Sequence, residues 1–307
     1  MKRITTVFLV LSVTLTALFT PFFNVNAEEQ NEISIEEMLF EPAYTPAERS
    51  TQNANNSGIS PRAIIGGDSR SLVEDVSLSP YCKIVYIKAT FSSGVTKRAT
   101  GFILGPDLIV TAGHALYSGT YGGMAVSCKV YFETDGVAPQ NPDALSTEIY
   151  VPDEYADLLN PDRKYYDWGY IIVNKDVGKT QGWFGFGTIT GTQSVTVAGY
   201  PEFYPEENRE LEDKKYNYSM VEGTGRAMSH PYNNELLVRH DVDTAVGQSG
   251  SPIYNESQVV LGIHSLSILD VNGDGIYEQN NVGIKINSEI FQLLKAKKDE
   301  GRARWSS

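Results

Sequence analysis

Three side chains that could together carry out acyl transfer stand far apart in a chain of 307 residues. Ser249 lies between two glycines in the segment GQSGSP at 247–252, His114 follows an apolar run, and Asp167 precedes another. A serine nucleophile needs a base beside its hydroxyl, a carboxylate that holds the base in one tautomer, and paired amides for the oxyanion. The residue types predict Ser249 as the nucleophile, His114 as the base, Asp167 as its carboxylate, and the amides of Gly247 and Ser249 as the oxyanion hole.

The elements that must position these side chains are mainly β-strands. Short runs of β-branched and aromatic residues alternate with Gly, Pro, Asn and Asp, which is typical of strands joined by turns. The clearest runs are 83–91, 99–104, 108–112, 128–132, 169–173, 194–199, 236–242 and 259–264. One amphipathic helix is predicted at 288–298, with Ser288 as its N-cap. The pattern predicts an all-β body with a C-terminal helix, and two successive barrels would explain the number of strands.

The order His, Asp, Ser along the chain resembles that of chymotrypsin-like proteases rather than that of subtilisins or α/β-hydrolases. Within that superfamily, residues 63–295 resemble the bacterial glutamyl endopeptidases. The resemblance is carried by AIIG at 63–66, GYP at 199–201 and LGIH at 261–264, together with Asp68 and Arg70. It implies a chymotrypsin-like double six-stranded β-barrel, serine endopeptidase activity, the catalytic residues named above, and Ser265 as a hydrogen-bond partner of Asp167.

The residues that would line the pocket for the substrate side chain favour two different specificities. Asp243 stands six residues before Ser249, where trypsin-like enzymes carry the carboxylate that selects Lys or Arg. Thr244 and His264 occupy positions that glutamyl endopeptidases use to hold a substrate carboxylate, and Ser265 completes the predicted substrate-binding set. Because a histidine and a hydroxyl offer donors to a carboxylate, we expect cleavage after Glu and, less readily, after Asp. Basic specificity through Asp243, or a catalytically silent relative that binds peptides, are the alternatives.

One departure from trypsin-type zymogens lies directly before the nucleophile. Those enzymes pair their new N-terminal amino group with an acid at this place, where this chain carries Gln248. The resemblance to the glutamyl endopeptidases implies that the amino group freed by processing lies near the specificity pocket instead. A His264 that must be cationic to bind substrate would make activity fall as the pH rises above its pKa.

The N-terminal region has the layout of an exported protein. Residues 1–27 begin with basic side chains, continue with an apolar run and end at Ala27, which predicts a secretory signal peptide. Residues 28–62 are acidic and polar, which predicts a propeptide that ends at Arg62. The protease domain is then 63–307, and we expect a secreted, extracellular protein.

Composition and cysteine content limit the partners and the covalent chemistry. The net charge of −13 argues against nucleic acid, and no second long apolar run predicts a membrane anchor after signal cleavage. We expect protein or peptide substrates and a monomeric mature chain. Cys82 and Cys128 are the two cysteines, and in an exported chain they are predicted to form one disulfide.

A separate acidic loop lies near the C-terminus. Oxygen-bearing side chains alternate at Asp270, Asn272 and Asp274, and Glu278 follows, like the first half of a calcium loop. Its twelfth position is Asn281 rather than Glu, and no helices are predicted beside it, which excludes an EF-hand. We expect a polar hairpin tip, with a structural calcium ion as the alternative and no cofactor required for activity. A secreted calcium-binding β-protein without enzymatic function is the remaining rival interpretation.

Overall fold

The computed structural model describes residues 40–47, 49, 70–202, 218–231, 235–266 and 281–306. Within these residues the chain is mostly β-strand. The strands are β1 (Phe40–Glu41), β2 (Ser71–Leu72), β3 (Ile84–Thr90), β4 (Thr96–Ile103), β5 (Leu108–Thr111), β6 (Tyr117–Ser118), β7 (Gly123–Met124), β8 (Ser127–Tyr131), β9 (Ala144–Tyr150), β10 (Gly169–Val173), β11 (Gly185–Gly187), β12 (Thr192–Gly199), β13 (Val221–Ser229), β14 (Leu237–His240), β15 (Pro252–Tyr254), β16 (Val259–Leu266) and β17 (Asn281–Lys285). The α-helices are α1 (Gly113–Leu116), α2 (Asp153–Ala156), α3 (Gly178–Gln181) and α4 (Ser288–Trp305), and 3₁₀ turns span Tyr81–Lys83, Gly119–Tyr121 and Arg163–Tyr166.

The first barrel closes in the strand order β10-β5-β4-β3-β8-β9. Successive residues of a strand point to opposite faces of its sheet. In β3, Val85 and Ile87 accordingly join one buried cluster, while Ile84 and Tyr86 join another that also holds residues of the second barrel. A strand buried on both faces explains why the sequence there is a nearly continuous apolar run.

The second barrel runs in the order β16-β15-β12-β13-β14-β17 and is closed by pairing of β17 with β16. A separate buried cluster within this barrel includes Val197, Val238 and Leu261. β11 lies parallel to β16 and extends this sheet, and β1 pairs with β11. The predicted fold, two six-stranded barrels followed by a C-terminal helix, is confirmed.

Four of the barrel strands, β9, β13, β15 and β17, were absent from the sequence-based prediction. β9 and β13 carry many polar or glycine residues, and β15 and β17 are short and contain Pro and Gly. Such strands lack the apolar run or strict alternation by which strands are recognised. Their pairing with neighbouring strands, which is a long-range effect, makes them extended.

The C-terminal helix α4 is longer than predicted, and its N-cap is Asn287 rather than Ser288. The Asn287 side chain accepts a hydrogen bond of 2.9 Å from the Ile290 amide. The helix continues to Trp305 because its last turns pack on the first barrel, where Trp305 and Arg304 both donate to the buried Asp107 carboxylate. None of the helices in the described residues is long and apolar enough to cross a membrane.

The predicted disulfide between Cys82 and Cys128 is wrong, because both cysteines are buried free thiols. Cys82 precedes β3, whereas Cys128 in β8 pairs with Ala89 near the other end of β3. The stretch of β3 from Ile84 to Ala89 spans about 16 Å at the usual rise of a strand. A disulfide requires Cα atoms within about 7 Å, so the strand itself keeps the two thiols apart.

We expect both cysteines to be unreactive thiols in the native protein and reactive thiols once it unfolds. Burial raises the pKa of Cys82 to about 11 and that of Cys128 to about 12, which leaves little reactive thiolate near neutral pH. Iodoacetamide at pH 8 should leave the native protein unmodified and should alkylate both cysteines once the protein is denatured without reductant. Mass spectrometry detects the alkylation. If the denatured protein reacts only after reductant is added, Cys82 and Cys128 form a disulfide after all.

Candidate active site

His114 and Asp167 are brought together by two neighbouring strands of the first barrel. β5 and β10 are antiparallel, with Gly169 opposite Thr111, so helix α1 and the turn before β10 lie at the same end of the barrel. His114 Nδ1 lies 2.7 Å from Asp167 Oδ2, and the His114 amide donates to Asp167 Oδ1 at 2.6 Å. The two contacts fix both the position and the orientation of the imidazole, and they leave Nε2 directed away from the carboxylate.

Gly113 explains why the motif before His114 contains a glycine. A Cβ at this position would lie 3.0 Å from the Trp168 amide nitrogen and 3.1 Å from Asp167 Oδ1. Both distances are tighter than ordinary van der Waals contact. The absence of a side chain therefore allows Asp167 to approach the His114 amide.

Asp167 is a buried carboxylate, 3% exposed. Burial by itself raises the pKa of Asp167, but the charge of His114 and hydrogen bonds from His114 and Ser265 outweigh it and lower that pKa below its usual value. Ser265 Oγ, on β16 of the second barrel, donates to Asp167 Oδ2. Burial lowers the pKa of His114, and the Asp167 carboxylate more than offsets this and raises that pKa above its ordinary value.

Ser249 lies on the loop between β14 and β15, in the second barrel. The loop is shaped by Gly247 at φ +94° and Gly250 at φ +87°, conformations in which a side chain would be strained. The amide of Gly250 donates to His264 O at 2.7 Å, and a Cβ on Gly250 would lie 2.8 Å from the Ala112 nitrogen. The Ser249 loop thus packs between β16, which carries His264, and the segment that carries His114.

The predicted oxyanion donors are free to bind a ligand. In the part of the chain that the structure describes, neither the Gly247 nor the Ser249 amide donates a hydrogen bond. No hydrogen bond joins Ser249 to His114 among these residues either. In proteins without bound substrate such contacts are often long and shorten in the substrate complex.

Thr100 of β4, a residue that sequence reasoning missed, anchors the Ser249 loop to the first barrel. It is fully buried. Its amide donates to Ser249 O at 3.0 Å, while its hydroxyl donates to Gly247 O at 3.0 Å and accepts from the Tyr200 amide at 2.9 Å. A threonine in a strand carries no sequence signal of such a contact, because its partners lie 100 to 149 residues further along the chain.

The predicted pocket residues lie beside this loop. His264 is buried in β16, and its Nδ1 lies 3.2 Å from Nε2 of His240, at the end of β14. Burial and the nearby charge of His114 lower the pKa of His264 to about 4, so its ring is neutral at physiological pH. Thr244 Oγ1 is a buried hydroxyl without a hydrogen-bond partner among the described residues, and Asp243 is buried next to it in the chain.

His240 is the second residue of the site that sequence reasoning missed. Burial and the charge of His264 lower its pKa well below the ordinary value, so this ring is also neutral. With Nδ1 of His264 facing His240, the remaining nitrogen of His264, Nε2, has no hydrogen-bond partner within the described ranges. The spacing between 240 and 264 gives no local pattern, and only the pairing of β14, β17 and β16 brings the two rings together.

Gln248, which stands at the place of the acid in trypsin-type zymogens, has hydrogen-bond partners of its own. Its Oε1 accepts from the Ala245 amide at 2.8 Å and from Arg70 Nη1 at 3.2 Å. The side chain is fully buried, so these contacts supply hydrogen bonds that water cannot. The segment 63–66 with Asp68, and the predicted calcium ligands Asp270, Asn272, Asp274 and Glu278, lie outside the described residues.

Comparison with known proteins identifies relatives of this site. Residues 99–263 match the family model described as "Trypsin-like peptidase domain". The chain is 28% identical to the glutamyl endopeptidase of Bacillus licheniformis, over 76% of this chain and 68% of that protein. It is 25% identical to a Bacillus subtilis protein named extracellular metalloprotease, over 77% of this chain and 70% of that one.

A solved structure supports the architecture. The chain superimposes on the structure titled "Structure of Glu endopeptidase in complex with MPD" with a TM-score of 0.61 and 24% identity. The match covers 77% of this chain and 99% of that one. The two proteins share their fold. The family match begins at residue 99, so the segment 40–49 lies before it in the sequence.

Replacing Thr100 by valine tests the anchor of the Ser249 loop. Valine has nearly the same shape but leaves the Gly247 carbonyl and the Tyr200 amide without their partner, so we expect a loss of about 1–3 kcal/mol in unfolding free energy. Thr100→Ser keeps the hydroxyl and is the matched control. Urea unfolding measures both, and a Thr100→Val protein more stable than Thr100→Ser would contradict the assignment.

Proposed function

Because the chain belongs to the trypsin-like peptidase family and is a serine endopeptidase, we propose that it cleaves peptide bonds after glutamate, with Ser249 as its nucleophile. The observation that carries the catalytic part is the His114–Asp167 pair, doubly hydrogen bonded beside a glycine-shaped loop that presents Ser249 and two free amides. A secreted protease fits the signal peptide predicted at 1–27.

The proposed reaction has two halves, formation of an acyl-enzyme and its hydrolysis, and the same groups act in both. His114 Nε2 takes the proton of Ser249 Oγ as this oxygen bonds to the substrate carbonyl carbon, and the amides of Gly247 and Ser249 bind the oxyanion. His114 then gives the proton to the leaving amine, and the C–N bond breaks to leave an acyl-enzyme. Water then attacks the acyl carbon while His114 takes its proton, the bond to Ser249 Oγ breaks, and His114 returns the proton to that oxygen. Asp167 stays ionised and stabilises the imidazolium.

Cleavage after glutamate is supported by two hydrogen-bond donors among the predicted pocket residues. We assign the tautomers in which Nε2 of His240 donates to Nδ1 of His264, which puts the proton of neutral His264 on Nε2, the nitrogen left without a partner in the described part of the chain. The unpartnered Thr244 hydroxyl is a second donor. Two neutral donors in a buried pocket would bind a glutamate carboxylate by charge-assisted hydrogen bonds, without a buried cation.

The metalloprotease name of one relative suggests a different chemistry. Among the described residues no group of three or more His, Cys, Asp or Glu side chains is placed to hold a metal ion. We therefore prefer the serine mechanism, and inhibitors of the two chemistries separate them.

We expect a fluorophosphonate probe to label Ser249 of the secreted, processed protein and to leave Ser249→Ala unlabelled. The base must be neutral to activate Ser249, and the raised pKa of His114 keeps its ring cationic to a higher pH than in free histidine. The labelling rate should therefore increase with pH, with its midpoint above about pH 6.5. Asp167→Asn should slow labelling and shift the midpoint down. Mass spectrometry locates the label.

The control for this experiment is 1,10-phenanthroline, a zinc chelator. It should leave both labelling and peptide hydrolysis unchanged. Hydrolysis that is abolished by the chelator and survives in Ser249→Ala would refute the serine mechanism.

The specificity proposal is tested by the ratio of kcat/KM for matched peptides with Glu or Gln before the cleaved bond. We expect Glu to be preferred, and His240→Ala to reduce that preference by about tenfold or more, because His264 loses the partner that orients its ring. Fluorophosphonate labelling of His240→Ala should continue, which separates a pocket effect from misfolding. Cleavage after Lys or Arg that disappears in Asp243→Asn would establish the basic specificity instead.

A further inference from the structure

Residues 40–47 and 49, which lie within the predicted propeptide, are described by the structure, and Phe40–Glu41 and Tyr44 pair with the second barrel's extended sheet. β1 pairs with β11, with Phe40 opposite Gly187 and Glu41 opposite Phe186. Further along, Tyr44 and Trp183 exchange two backbone hydrogen bonds of 2.9 Å each. The segment therefore satisfies backbone groups of an edge strand that would otherwise be unpaired.

The surface beneath the segment is shaped for contact with a backbone. A Cβ on Gly182 would lie 2.3 Å from Tyr44 O, and a Cβ on Gly185 would lie 2.5 Å from Glu41 O. Gly182 also has φ +78°, which disfavours any side chain. Two glycines thus leave room for residues 41–44, and a larger residue at either place would displace them.

Buried lysines of the body take their partners from the same segment. Lys298 of α4 is fully buried, and its Nζ lies 2.9 Å from Oε2 of Glu41, which is itself buried. Lys83, also fully buried, donates to Thr45 Oγ1 at 2.9 Å and to Gln258 Oε1 at 2.6 Å. Glu41 is the carboxylate paired with Lys298 in the described part of the chain, so loss of the segment would leave a buried ammonium without its counter-charge.

The last residue of the segment is tied down by its side chain. Arg49 donates to Ser77 O at 2.8 Å, to Gln181 Oε1 at 2.8 Å and to Thr180 O at 3.1 Å. It also forms an ion pair with Glu133, at 2.6 Å. The contacts of the segment thus extend to Arg49, before the predicted end of the propeptide at Arg62.

We propose that the segment described at 40–47 and 49 is a permanent part of the folded protein, and that it stays bound without a covalent link after the chain is cut between 50 and 62. The binding surface is the edge of β11 with Gly182, Trp183 and Lys298. Its ligand is this chain's own acidic prosegment, so the processed protein is an assembly of two pieces.

The experiment is a defined cut in the intact chain. A recognition sequence for a site-specific protease replaces residues 53–59 in a Ser249→Ala background, which prevents self-digestion and makes the test independent of the proposed activity. After denaturing electrophoresis shows complete cleavage, size-exclusion chromatography in native buffer separates free from bound fragments. We expect the two pieces to elute together in equimolar amounts by mass spectrometry. Separation of the N-terminal fragment would overturn the proposal, whether or not the body remains folded.

The ion pair gives a second measurement on the cut protein. Glu41→Gln should lower its Tm by at least about 5 °C, because Lys298 is left buried and unpaired. Glu256→Gln, an exposed position with the same chemical change, should shift Tm by about 1 °C or less. Adding Lys298→Met to Glu41→Gln should recover most of the loss. Equal effects of Glu41→Gln and Glu256→Gln would show that the segment does not stay in place.

Discussion

The buried negative charge of Asp167 is the interaction on which the rest of the site depends. A carboxylate inside a protein stays ionised only if donors replace the water it has lost. Here the donors come from both barrels, namely His114 from the first and Ser265 from the second. The same hydrogen bonds that keep Asp167 charged therefore orient the His114 imidazole and link the two barrels. A shift of one barrel relative to the other would break the Ser265 hydrogen bond to this buried charge, while the His114 contacts lie within the first barrel.

The second constraint is steric, since the Ser249 loop must lie against the first barrel without a gap. A Cβ on Gly250 would lie 2.2 Å from both Thr100 O and Thr111 Oγ1, so only glycine fits there. Thr100 also hydrogen bonds to the backbone of Gly247 and Ser249, on both sides of Gln248. Neutral hydrogen bonds are short-ranged and directional, so they position the loop more sharply than charge alone would. The positive φ of Gly247 and Gly250 independently favours glycine at both positions.

The sequence was informative where the requirement is local. Glycines around Ser249 and before His114, the apolar strand before His114 and the apolar strand after Asp167 could all be recognised within a few residues, and so could eight of the barrel strands. Thr100 and His240 could not, because each acquires its role from strands far along the chain. The disulfide failed for the same reason: pairing of Cys128 with Ala89, and not the number of cysteines, sets the distance. Residues 40–49 were classed with an acidic tail because Glu41 finds its counter-charge in Lys298, 257 residues away.

His114 and His264 acquire opposite pKa shifts, and the reason is the direct contact that His114 makes with the Asp167 carboxylate. His114 touches Asp167, and the attraction outweighs burial. His264 is buried without such a contact and faces the neutral His240, so burial dominates. A cationic His264 would compete with His114 for the single negative charge and would lower the pKa of the proposed catalytic base. A neutral His240–His264 pair avoids that conflict, since it can offer an N–H group to an anionic side chain while Asp167 keeps its direct hydrogen bonds with His114.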